Sequence, residues 1–143
     1  MTRRHGRLRR LRRWAQTYYD GLGRTVQVRS GTGSDIKSIV ETEYAACACS
    51  PLGKVWRVTQ PFTPSATVVY WTSYTYDELG RTVSVIQPNG AGTTTYGYWD
   101  NNVAVTDPAG KWKTMTVDGF GNLEHFQSFY SPYPQWRKQL AAS

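Results

Sequence analysis

Two cysteines, two histidines and ten acidic residues are the side chains in this 143-residue sequence best suited to thiol, metal or acid–base chemistry. Cys47 and Cys49 stand two apart, so in a strand both would point to one face with Cα atoms ~6.5 Å apart. A disulfide between them requires local bending. Two thiolates alone leave a tetrahedral zinc site half filled. The plain expectation is a pair of half-buried thiols beside a turn, with a metal pair completed by another chain as the lesser alternative. His5 lies in an Arg-rich stretch and His125 far downstream between Glu124 and Phe126, so neither has a partner at ligand spacing. No Ser or Cys sits in a nucleophile context. Asp20, Asp77, Asp107 and Asp118 are absorbed by turns, which removes the obvious paired carboxylates for acid–base work. Gly31-Thr32-Gly33 and Gly90-Ala91-Gly92 do not open helices, so no phosphate cradle follows. A non-enzyme without cofactor or metal is expected.

Aromatic residues offer a different chemistry. Six Trp, ten Tyr and four Phe are present, and Tyr70, Trp71, Tyr74, Tyr76, Tyr96, Tyr98 and Trp99 form a dense zone. Flat rings beside polar groups can stack on sugars, which makes Trp71, Tyr74, Tyr96 and Trp99 candidate carbohydrate contacts. The competing expectation is that these amphipathic rings pack one face of a sheet whose other face is wet.

The elements that position all these residues are announced by a repeated reversal. It occurs as Asp20-Gly21-Leu22-Gly23, Ser50-Pro51-Leu52-Gly53, Asp77-Glu78-Leu79-Gly80, Asp107-Pro108-Ala109-Gly110 and Asp118-Gly119-Phe120-Gly121. Arg24, Lys54, Arg81, Lys111 or Asn122 follows, and then a run with β-formers. The leading Asp or Ser can accept a backbone N–H two residues on. Pro51 and Pro108 suit the second turn position. The Gly fits the left-handed residue that closes a three-residue hairpin loop. Asp20 would then face Arg24, Asp77 would face Arg81, and Asp107 would face Lys111. Val26 and Val28, Trp56 and Val58, and Val83 and Val85 alternate with Gln27, Arg57 and Ser84, the period of half-buried strands. Pro88-Asn89-Gly90, Asp100-Asn101-Asn102 and Gly31 to Ser34 read as further turns. The motif glycines fall 30, 27, 30 and 11 residues apart, an irregular array.

These residues resemble the RHS/YD-repeat family, whose hallmark is Tyr-Asp-x-x-Gly-Arg followed by a strand. Tyr19-Asp20-Gly21-Leu22-Gly23-Arg24 and Tyr76-Asp77-Glu78-Leu79-Gly80-Arg81 match it fully. Val117 to Asn122 matches a Gly-Asn variant with Val for Tyr, Thr106 to Lys111 matches without the Tyr, and Ser50 to Lys54 keeps only the turn logic. Gln87-Pro88-Asn89-Gly90 is similar to the connectors between such repeats. The resemblance covers residues 17–126. It implies a long β-sheet wound into a hollow shell, as in bacterial toxin-delivery proteins and animal cell-surface relatives, and carbohydrate binding has been attributed to such repeats. It also implies a secreted or cell-surface setting for complete relatives. This chain holds a handful of repeats and lacks the core-closing segment after which a toxin begins.

The expected organisation is therefore an elongated all-β array of antiparallel hairpins over residues 17–126. An Arg-rich tail, disordered or briefly helical, would occupy 1–16, and a Pro-containing tail 127–143. Seven arginines lie in the first thirteen residues, so the formal charge of +7 belongs to that tail, and the body from Trp14 onward is neutral. Leu8, Leu11 and Ala15 fall at helical spacing. Nucleic-acid binding by the tail is the lesser reading beside a solvated end. No apolar run approaches the ~18 residues of a membrane span, and no secretory apolar stretch follows Met1. The expected partners are adjoining repeats, or a second copy, paired through free strand edges.

Overall fold

The computed structural model describes residues 12–128, whose regular structure is one open antiparallel sheet plus a 3-10 turn at Pro88–Gly90. Its strands are β1 (Arg13–Tyr19), β2 (Thr25–Thr32), β3 (Asp35–Cys47), β4 (Ser50–Thr59), β5 (Trp71–Tyr76), β6 (Thr82–Ile86), β7 (Thr93–Trp99), β8 (Asn102–Thr106), β9 (Trp112–Val117) and β10 (Leu123–Ser128). They lie side by side in chain order, so the fold is all-β, as expected. Odd strands run toward one border, here the near rim, and even strands return to the far rim.

The motif loops form for the reasons legible in their residues. Gly23 donates its N–H to the Asp20 carbonyl (3.0 Å), and Asp20 donates its own to the Arg24 carbonyl (2.9 Å). The same two bonds close the loops at Asp77, Asp107 and Asp118. Gly23, Gly80, Gly110 and Gly121 have φ of 76°, 80°, 76° and 86°, the left-handed region that costs a side chain energy. Gly80→Ala should therefore destabilise the fold by about 1 kcal/mol or more, measured by chemical denaturation.

Several sequence expectations need correction. Ser50 to Gly53 do not form a loop: the chain reverses at Ala48 and Cys49, and Ser50 already opens β4. Pro51 thus lies in a strand and not at a turn position. Gly53 nevertheless has a left-handed φ of 85°, and a Cβ there would stand 2.9 Å from the Ala45 carbonyl oxygen, so two independent features call for glycine. The loop at Asp107 does form, and it joins β8 to β9 on the far rim, opposite the loops at Asp20, Asp77 and Asp118. The array is also longer than expected at both ends, since β1 begins at Arg13 and β10 reaches Ser128. Ala15 is therefore in a strand and not a helical turn. That edge is anchored where the Trp14 indole N–H donates to the Gly33 carbonyl (3.0 Å). The Arg-rich stretch through Leu11 and residues 129–143 lie outside the described residues.

The period-two alternation is interrupted in a regular way. Register shifts leave Val26, Trp56, Val83 and Glu124 without a cross-strand partner. Each is the third residue after a motif glycine, so each is a bulge that adds a residue to the strand leaving the near rim. Of the far-rim connections, β8–β9 has no such shift, while β2–β3 has one that leaves Lys37 without a partner. The sheet nevertheless keeps two distinct faces. Register puts Val28, Val40, Val58, Tyr74, Val85, Tyr96 and Val105 on one. Gln27, Arg29, Glu41, Glu43, Arg57, Ser73 and Ser84 stand on the other. Among the described residues there is no second layer, and few side chains are deeply buried. Ile39 (8% exposed) is covered where Phe62 folds back to pair with it, and Thr59 (4%) accepts the Glu41 N–H.

Candidate functional site

Along the near rim of the apolar face runs a ladder of identical joints. Arg24 lies over the Tyr44 ring at 4.2 Å, Lys54 over Tyr76 at 4.7 Å, and Arg81 over Tyr98 at 4.3 Å. In every case the cation follows a motif glycine, and the tyrosine stands on the next strand of the sheet. Each phenol then donates to the carbonyl of the residue after that cation. Tyr44 bonds Thr25 (3.0 Å), Tyr76 bonds Val55 (2.8 Å), and Tyr98 bonds Thr82 (2.9 Å). Arg24 also donates to the Leu52 carbonyl, and Lys54 to the Gly80 carbonyl, so one hairpin's cation ties down the next hairpin's glycine segment. Burial pushes the Tyr76 phenol above its ordinary value, with Tyr74 beside it adding to the effect.

The loop carboxylates serve this geometry. Asp20 Oδ1 accepts the N–H groups of Leu22 and Arg24, both at 2.9 Å, while Oδ2 accepts the Arg24 guanidinium at 2.7 Å. Asp77 repeats the pattern with Leu79 and Arg81. Asp118 repeats it with Phe120 and Asn122, the Asn122 amide replacing the guanidinium. Asp107 accepts from the Ala109 and Lys111 backbones, so it does face Lys111 across its loop. At two of the three joints an aspartate thus holds the cation that lies over the tyrosine, Asp20 holding Arg24 and Asp77 holding Arg81.

These bonds hold three carboxyls below the ordinary 3.8. For Asp20 the main cause is the Arg24 backbone N–H, and for Asp118 it is the Asn122 amide. At Asp77 partial desolvation pulls upward but is outweighed by the Arg81 side chain and backbone. A depressed carboxyl stabilises the fold above its unfolded value and loses that contribution as pH falls through its folded value. The melting temperature should therefore hold from pH 7 to about 5 and drop below about pH 4. Asp77→Asn should blunt the drop in a pH series of thermal melts.

The polar face carries a second cluster. Arg57 grips Glu43 with two bonds (2.8 and 3.0 Å) and lies over both Trp56 and Trp71, at 4.4 and 4.2 Å. Trp56 can reach Arg57 because it is the bulged residue. Of the four candidate sugar contacts, Tyr74 and Tyr96 stand on the apolar face and Trp71 and Trp99 on the polar one. The structure does not bring them together as one platform. Cys47 and Cys49 form a disulfide, not the expected pair of thiols. The turn at Ala48 and Cys49 supplies the bending, drawing the Cα atoms to 5.1 Å. His125, on β10, pairs with Thr116 of β9. Among the described residues no His, Cys, Asp and Glu group could hold a metal, and no helix is long and apolar enough to cross a membrane.

Sequence reasoning found the loops but missed the ladder, although Tyr76 and both motif arginines were singled out. The cations precede their tyrosines by 20, 22 and 17 residues, so no constant spacing advertises the joint. No family model matches this chain, and no curated protein matches it in sequence.

Proposed function

We propose that this chain is a non-enzymatic wall element of an RHS/YD-repeat array, working by lateral contact between hairpins and not by chemistry on a substrate. The observation that carries this reading is the ladder. The residues most distinctive of the sequence motif, its Asp, Gly and following cation, are spent on holding one hairpin against the next. In such an array the sheet would continue past its borders. The loops support a contact role as well, since Leu22, Leu79 and Phe120 are exposed at the near rim, Phe120 at 94%.

Sedimentation of the chain at neutral pH and moderate salt tests the proposal. Both β1 and β10 pair on one side alone among the described residues, and a free edge offers N–H and C=O groups to any strand. Association that rises with protein concentration is expected. A monomer persisting at the highest soluble concentration would overturn the edge-pairing role.

A further inference from the structure

We propose that the β1 edge around Tyr19 is a docking site for a β-hairpin carrying Arg or Lys directly after the glycine of its turn. This rests on the reading of the chain as an array element and names the partner its first edge selects. Tyr19 repeats the position of the ladder tyrosines. It ends an odd strand, pairs across its hairpin with Thr25 as Tyr76 pairs with Thr82, and precedes the same Asp-x-x-Gly loop. Register also places it on their face, two residues beyond Thr17, which pairs with Val28.

Its surroundings differ in one respect. Tyr44, Tyr76 and Tyr98 are half-buried under a cation from an earlier hairpin, whereas Tyr19 is 63% exposed. Among the described residues no cation covers its ring and no carbonyl accepts its hydroxyl. The edge beside it is complementary in direction. β1 runs toward the near rim, so an incoming hairpin that pairs antiparallel through its second strand places its own turn at that rim. Its post-glycine cation then falls over Tyr19, and the next carbonyl meets the phenol, as at the three rungs already formed.

The selection is chemical, and the opposite edge of a second copy can pair its backbone but cannot supply the rung. The last described hairpin runs Gly121-Asn122, with no cation after the glycine, and the Asn122 amide is engaged by Asp118 (2.9 Å). Arg24, Lys54 and Arg81 all sit on interior strands or loops already matched to their own tyrosines. The fitting partner is a separate hairpin with a Gly-Arg or Gly-Lys turn.

The test uses the full chain and a labelled, head-to-tail cyclised peptide copying residues 71–86, shown by NMR to be a hairpin before use. Fluorescence anisotropy should give saturable binding. Arg81→Ala in the peptide or Tyr19→Ala in the chain should each weaken it about tenfold, the combined worth of a ring–cation contact and a hydrogen bond. Tyr19→Phe should lose about threefold to fivefold, keeping the ring but not the hydroxyl. The two alanine changes together should weaken binding little more than either alone, because they remove one joint. No saturable binding by the verified hairpin overturns the proposal. Equal binding by Tyr19→Ala overturns it too while leaving edge pairing intact, and the sedimentation result judges edge pairing separately.

Discussion

Gly31→Ala should destabilise the folded chain by about 3 kcal/mol, the upper range for forcing atoms into a packed site. A Cβ at Gly31 would lie 2.0 Å from the Asp35 carbonyl oxygen and 2.8 Å from Trp14 Cζ2. Neither neighbour yields easily. The Asp35 oxygen belongs to the first residue of β3, which pairs with Thr32. Trp14 is held by its indole bond to Gly33. Relief therefore requires β2 and β3 to part where their register already shifts, and β1 to loosen with them. Gly21→Ala is the control: nothing lies within 4 Å of its added Cβ, so the change should stay within about 0.5 kcal/mol. Urea unfolding of the two variants reads the difference, and equal midpoints would contradict the β2–β3 register.

Tyr76→Ala should cost about 2–3 kcal/mol, through lost ring packing, the contact with Lys54 and the bond to Val55. Tyr76→Phe isolates the last of these and should cost about 1 kcal/mol. Tyr19→Ala, at the same place in the motif, should leave the unfolding midpoint within about 0.5 kcal/mol because its ring is solvated. This contrast between two tyrosines in matching sequence contexts separates the ladder from any intrinsic strand preference of Tyr. Similar losses at both positions, measured by urea unfolding, would contradict the role of the ladder.

Much of this arrangement was legible from individual residues. Asp20, Asp77, Asp107 and Asp118 each accept the N–H groups their spacing implies, and the glycines are left-handed where the loops require it. The rim on which each loop falls was not legible, because loop residues set a reversal and say nothing about how many strands precede the next one. Gly23 to Gly53 and Gly80 to Gly110 are both 30 residues. The first interval holds β2 and β3, of 8 and 13 residues; the second holds β6, β7 and β8, of 5, 7 and 5. An odd number of strands moves the loop to the opposite border. The turn at Asp100 marks that extra reversal and was visible in the sequence, but its effect on the fourth motif appears only when strands are counted. The disulfide was hidden for a related reason: the Ser50 turn signal pointed two residues past the true reversal. The four sugar candidates cluster in sequence, but faces follow strand parity, which separated Tyr74 and Tyr96 from Trp71 and Trp99.

The near-rim bulges bear on the shape of the hairpins that carry them. Each places one surplus residue on the strand leaving the near rim, whereas the far rim has one such residue, Lys37 between β2 and β3, and none at the β8–β9 connection. A surplus residue on one strand bends that strand and tightens its right-handed twist. Bending is therefore concentrated along one border, at the hairpins built on Asp20, Cys47–Ser50, Asp77 and Asp118. The β7–β8 pair, turned at Asp100, keeps an unbroken register and has no such bend point.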